Sequence, residues 1–311
     1  MTSSPSPYAA PPTAPAEDGF ARGALMVLGA ALAWSFGGVI ARFLVVEDSW
    51  TVVFWRSAFA TAFLLGFLVW RDGVSGTRKL FRDMGWPGIA VGLCFTTSSI
   101  GFVLALGYTT VANILLMQAG VPLIAALMGV LFLKERVDGV TWAAIAMVIA
   151  GIAVMVSDSL AATVSPIGDA LAVMIAVFFA AATVITRRHQ GLRMTPAVCF
   201  GAMVAGLIGA VFSSGLAVGA ADFGFLFLFG AFNLGLGMAL FVTGARLIPS
   251  ALAALLSVLE PVLGPVWVWL VHGEVPAPRT LAGGGIVFAA LIAHILWQWR
   301  RSRRTSLPLP N

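Results

Sequence analysis

The sequence predicts an all-α polytopic membrane protein of ten transmembrane helices, arranged as two inverted five-helix repeats. Three observations carry that expectation. Hydrophobic residues fill 60% of the 311 positions and charged residues only 10%, with a mean hydropathy of +0.99, whereas a soluble chain carries about 25% charged residues. Ten mainly apolar stretches, each about the 20 residues that cross a bilayer as a helix, follow one another between polar or turn residues. A shift of 139 positions lays Pro122 on Pro261, Gln118 on Ser257 and Glu135 on Glu274, an internal echo that chance among Leu-rich helices does not supply.

In chain order the stretches run over about 21–44, 50–70, 84–106, 110–133, 139–157, 166–186, 195–216, 222–245, 249–271 and 278–299. Residues 1–20 are rich in Pro, Ser, Ala and Thr. They lack the basic start and apolar centre of a secretory signal and read as a disordered tail. Residues 21–157 form the first repeat, 158–165 a linker, 166–299 the second repeat and 300–311 a basic tail. The short Gly107–Tyr108–Thr109 connection makes helices three and four a tight antiparallel pair. Gly29, Leu32, Gly85 and Phe102 extend the echo to Gly168, Leu171, Gly224 and Phe241. Five helices per copy is an odd number, so the second copy enters the membrane upside down, an architecture of many secondary transporters.

Orientation follows from charge. With both termini on one side, that side receives 15 of the 18 Lys and Arg, leaving Arg42, Arg56 and Arg279 for the other. By the positive-inside rule both termini are cytoplasmic, in a multi-pass protein of the cytoplasmic (inner) membrane. The net charge of +5 does not point to nucleic acid, because the basic residues lie almost wholly in short loops and the tail. Cys94 and Cys199 sit in apolar stretches without a CxxC or His neighbour and read as small packing residues. No Walker A sequence is present, and His189, His272 and His294 are scattered with no HExxH; neither ATP hydrolysis nor a cofactor or metal is expected.

The segment Pro122 to Gly151, with its Leu133–Lys134–Glu135–Arg136 turn, resembles the signature of the EamA-type transporters of the drug/metabolite transporter superfamily. Ala33–Trp34–Ser35 and Phe54–Trp55–Arg56 match it too, and the resemblance spans roughly 22–299. It implies ten helices in two inverted halves and the carriage of small metabolites, often outward, with amino-acid exporters of the YddG type as the nearest guess. The second repeat departs from the pattern: His272–Gly273–Glu274–Val275 lacks the Arg, and helix seven has no Trp–Arg counterpart.

The candidate site gathers the polar residues inside these stretches. Glu260 is foremost, since an ionisable side chain at the bilayer centre costs about 2.5–3.5 kcal/mol on insertion scales and marks function by default. It stands beside a stripe of Ser250, Ser257 and Gly264. Pro261 and Pro265 remove backbone donors and bend the helix there. Glu260 either holds a proton, pairs with a substrate amine, or forms an internal pair with Arg56. Arg56 contacts a substrate carboxylate or serves as an anchor at the outer interface. Asn113, Met117 and Gln118 on helix four and Asn233 on helix eight bind substrate or join helices, while the run Thr96–Ser99 reads as interhelical bonding. Trp34 and Ser35, with Phe178 and Phe179, are candidates for a cavity wall. Gly120, Pro122 and Pro261 are the expected hinges, about which the two halves rock to expose a central cavity. Ala146–Ala150 and Gly285–Ala289–Ala293 are close-packing stripes, either within a monomer or across a homodimer. The expected partners are the lipid bilayer and a small-molecule substrate.

Overall fold

The computed structural model describes residues 17–105, 108, 114, 118, 120–157, 166–273, 275 and 278–305. Among these there is no strand. The helices, in order, are α1 (Gly19–Ala41), α2 (Ser49–Asp83), α3 (Gly85–Ala105), α4 (Val121–Leu133), α5 (Gly139–Val154), α6 (Pro166–Arg188), α7 (Thr195–Phe212), α8 (Ala220–Ala245), α9 (Ser250–His272) and α10 (Pro278–Trp297). Eight are long and apolar enough to cross a membrane, and α4 and α5 are shorter apolar helices. Most of the stretch expected to begin helix four, with Asn113 and Met117, lies outside the described residues.

Local chemistry sets the boundaries. α2 has 35 residues, about 50 Å at 1.5 Å per residue, too long for a hydrocarbon core of about 30 Å. The sequence reading ended it near residue 70. The structure instead bends it at Gly73, whose φ of 69° and ψ of 173° suit only glycine, and continues as a helix to Asp83 through Arg78, Lys79 and Arg82. Asp48 caps α2: its carboxylate accepts from the Trp50 and Ser214 amides at 3.1 and 3.0 Å and from the Thr51 and Ser214 hydroxyls at 2.7 and 3.1 Å.

The two repeats interleave. α2 packs along α7 and α8, α3 along α6 and α7, α1 along α8 and α9, α4 along α6 and α9, and α5 along α10. Each of these contacts joins a helix of the first repeat to one of the second. Of the two readings of the small-residue stripes, the one within a monomer is corrected. Ala146, Ala150, Gly285, Ala289 and Ala293 face outward; α5 meets α10 instead through Val148, Gly151 and Ile152 against Val287, Ala290 and Leu291. A uniform shift of 139 fits the starts of α5 and α10, Gly139 and Pro278, but not the ends of α1 and α6, Ala41 and Arg188. Cys94 and Cys199 are free, buried thiols.

Asp48 makes one measurable prediction. Partial burial opposes its charge, but the hydrogen bonds from Thr51, Ser214 and Trp50 together outweigh this and hold the carboxyl below its ordinary 3.8. A depressed carboxyl contributes stability that is complete above the unfolded value and lost as pH falls through the folded one. Thermal unfolding in detergent should therefore lose about 1 kcal/mol, the worth of an N-cap, as pH drops below about 4. Asp48→Asn should remove that acid-side step.

Candidate functional site

A cavity of about 120 Å³ lies between α1, α2, α3, α4, α6, α8 and α9. Two helix breaks shape it. α1 is interrupted at Phe36, between helical runs Glu17–Ser35 and Gly37–Ala41. The break leaves backbone acceptors without helical donors, and Asn233 Nδ2 donates to the Ala33 and Trp34 carbonyls, each at 2.9 Å. Asn233 lies where α8 is unwound into a π-helix over Leu228–Leu236, a distortion frequent at functional sites. α9 breaks at Val258, between Ser250–Ser257 and Leu259–His272. Pro261 has no N–H for the Ser257 carbonyl, so the sequence rule for proline places this bend correctly.

Two opposite charges face the cavity. Arg56 comes from α2 and Glu260 from α9, and each lies within electrostatic reach of the other. They make no ion pair within 4.0 Å. Arg56 Cζ lies 4.5 Å over the Phe229 ring, a cation–π contact. Its Nε and Nη1 are buried with no hydrogen-bond partner, a costly state for a cation. The internal Arg56–Glu260 pair, one of the readings open from sequence, is therefore not formed.

The remaining wall mixes aromatic and small polar groups. Trp34 meets Phe179 edge to face at 5.9 Å and Phe241 at 5.4 Å. Gln118, Asn233, Ser257 and Pro261 line the cavity as well. Ser35 does not: it is buried, donates to the Leu32 carbonyl at 2.7 Å and accepts from Trp267 Nε1 at 2.9 Å, so it ties α1 to α9. Phe178 does not either; it packs against the hydrophobic core while its neighbour Phe179 takes the cavity face. Gly120 caps α4, and Pro122 sits buried in its first turn.

Ser98, Ser99 and Phe102 also line the cavity; sequence reasoning set the two serines aside as interhelical and did not single out Phe102. The reading of Thr96–Ser99 as interhelical bonding holds for Thr96, which lies 2.8 Å from the Gly201 carbonyl, and for Ser98, whose hydroxyl donates to the Ile175 carbonyl of α6 at 3.3 Å. Phe102 had a signal, its echo with Phe241. Below this cavity, toward the end rich in Arg and Lys, Val121, Ala125, Ala176, Ala180 and Ala254 pack α4, α6 and α9 together.

The arrangement is a solute-sized cavity, carrying one charge of each sign, buried among apolar helices. The EamA-like transporter family matches residues 21–157 and 166–296. This chain belongs to that family. Both repeats expected from the sequence are thus matched, and the transporter family agrees with a multi-pass membrane protein. A solved structure described as "Crystal structure of protein" is similar in fold, with a TM-score of 0.78 and 18% identity over 90% of this chain and 98% of its own. No curated protein matches. As an EamA-like chain, it has its two charges on helices from different matched segments: Arg56 within 21–157 and Glu260 within 166–296.

Proposed function

We propose that this EamA-like protein is a secondary transporter that carries small zwitterionic metabolites, amino acids first among them, outward across the cytoplasmic membrane. Ten crossings in two inverted sets, with both termini cytoplasmic, fit the apolar helices and the charge asymmetry. The observation that carries the reading is the unpaired placement of Arg56 and Glu260 in one cavity. A carboxylate of the solute would take the Arg56 guanidinium and its ammonium the Glu260 carboxylate, so that the solute completes both ions. Trp34, Phe102 and Phe179 supply an apolar face for the side chain, and Gln118, Ser257 and Asn233 the polar edge. Alternating access would come from α4 and α9, hinged at Gly120–Pro122 and at the Val258–Pro261 break. Arg56 weighs against purely cationic drugs, and the two opposite charges against uncharged sugars or nucleosides.

Counterflow tests this directly. Liposomes holding the purified protein and an unlabelled amino-acid mixture should accumulate labelled amino acid from outside, with aromatic, aliphatic and basic labels compared in parallel. Accumulation of labelled nucleoside, sugar or organic cation, with none of any amino acid, would overturn the substrate reading.

A further inference from the structure

At the basic end of the molecule a single carboxylate joins three helices. α4 finishes in a π turn over Gly129–Leu133, and Lys134 follows in the left-handed region at φ 55°. The Glu135 amide then donates back to the Gly129 carbonyl at 3.1 Å. This underwound exit folds the Glu135 side chain back across its own helix: a Cβ on residue 129 would lie 3.0 Å from Glu135 Oε2, so glycine leaves the carboxylate its place. From there Oε1 accepts from Arg187 Nε on α6 at 3.2 Å, and Oε2 accepts from the Ser250 amide at the start of α9 at 3.3 Å. Arg187 is itself oriented, its Nη1 donating to the Arg246 carbonyl at 2.9 Å and to Gln190 Oε1 at 3.0 Å. The carboxylate also faces the positive end of the α9 dipole.

These contacts stand over the small-residue packing of Val121, Ala125, Ala176, Ala180 and Ala254 that separates the cavity from the basic end. For the cavity to reach that end, the inner run of α9, Ser250–Ser257, must leave α4, and the break at Val258 lets it turn by itself. That movement parts Glu135 from Ser250 and strains its bond to Arg187. We infer that Glu135, held by Arg187 and the Ser250 amide, is the latch that keeps the cavity closed toward the cytoplasmic side. The inference rests on the carrier reading. Glu135 and Arg187 are positioning residues, since neither lines the cavity.

The test reads sidedness rather than transport. In a full-length chain with Cys94→Ala and Cys199→Ala, Ser99→Cys places a thiol on the cavity wall. Its reaction with a membrane-impermeant maleimide is timed separately from each face of oriented proteoliposomes. Glu135→Gln and Arg187→Gln should raise the ratio of cytoplasmic to external labelling rates about tenfold, equivalent to ~1.4 kcal/mol. Ser250→Pro keeps every charge, suits the first helical position and deletes the amide donor together with a hydroxyl that has no partner; it should shift the ratio the same way by about threefold. Lys134→Ala should leave it unchanged. Unchanged ratios in all three latch variants would overturn the latch, as would an equal shift in Lys134→Ala. Should one variant fold poorly, the other two still decide. A thiol that reacts from neither face in any version would overturn the carrier reading with it. A shifted ratio in a protein that shows no amino-acid counterflow supports the latch and overturns only the substrate assignment.

Discussion

Replacing Glu260 by glutamine, or Arg56 by glutamine, should reduce amino-acid counterflow by about 100-fold or more. Each substitution leaves its cavity neighbours in place and removes one charge. Removing one member of a buried charge pair costs about 3–5 kcal/mol because the other is left uncompensated, and each 1.4 kcal/mol is a factor of about ten. In the solute-free protein the two groups are not ion-paired, and Arg56 Nε and Nη1 are already without partners. The loss should therefore appear in solute handling and not in folding: thermal stability in detergent should change little, while the concentration for half-maximal counterflow rises steeply. The variants should also separate by ligand. Glu260→Gln should weaken an amino acid while sparing its deaminated carboxylate analogue, and Arg56→Gln should spare the decarboxylated amine. Equal losses for all three would assign Glu260 and Arg56 to architecture. Undiminished counterflow in both single variants would remove the substrate reading altogether.

The second large effect is on folding. α3 and α7 cross at Gly92 and Gly201. A Cβ added at 92 would lie 2.6 Å from the Ala197 carbonyl oxygen, and one at 201 would lie 2.5 Å from that of Gly92. Backbone cannot yield as a side-chain tip can, and small residues are what allow such approach between membrane helices. Thr96, one turn on, lies 2.8 Å from the Gly201 carbonyl and 2.9 Å from that of Gly92, so separating the helices also disturbs a buried polar contact. Gly92→Leu and Gly201→Leu should each destabilise by more than the ~1–3 kcal/mol typical of overpacking, seen as loss of monodisperse protein after extraction. Thr96→Val should be milder, in line with about 0.6 kcal/mol for an interhelical membrane hydrogen bond. If both leucine variants purify with wild-type melting behaviour, the close crossing is not where the fold is held.

Hydropathy and helix length found the helices because a bilayer constrains both: a segment without about 20 apolar residues does not span it, and backbone groups in hydrocarbon must bond within their own helix. The same pressure made Glu260 and Arg56 conspicuous, since a charge among apolar neighbours has few reasons to be there. Proline announced the α9 break for an equally local reason, the missing N–H at Pro261.

Other features depended on what packs beside what. Phe178 and Phe179 are adjacent and chemically identical, and only the rotation of α6 against Trp34 and Phe241 gives the cavity to Phe179. In a run of four hydroxyls, Ser98 and Ser99 read alike as interhelical hydrogen-bonders; once α3 is set against α6, both also face the cavity while Ser98 keeps its bond to the Ile175 carbonyl. The Ala and Gly stripes of α5 and α10 have the spacing of a packing face, yet within the chain α5 and α10 meet on the neighbouring face, where Gly151 lets Val287 and the Gly283 carbonyl approach.

By itself, then, the sequence determined a helical membrane protein of two matched segments, two charges in an apolar interior and a break beside Glu260. Each follows from a residue's own solvation or backbone chemistry. The tertiary structure alone decided that the repeats interleave, that Arg56 and Glu260 share a cavity without pairing, and that Glu135 gathers α4, α6 and α9 at one end. Those are relations between surfaces remote in sequence, set by side-chain shape and helix rotation that no local pattern encodes.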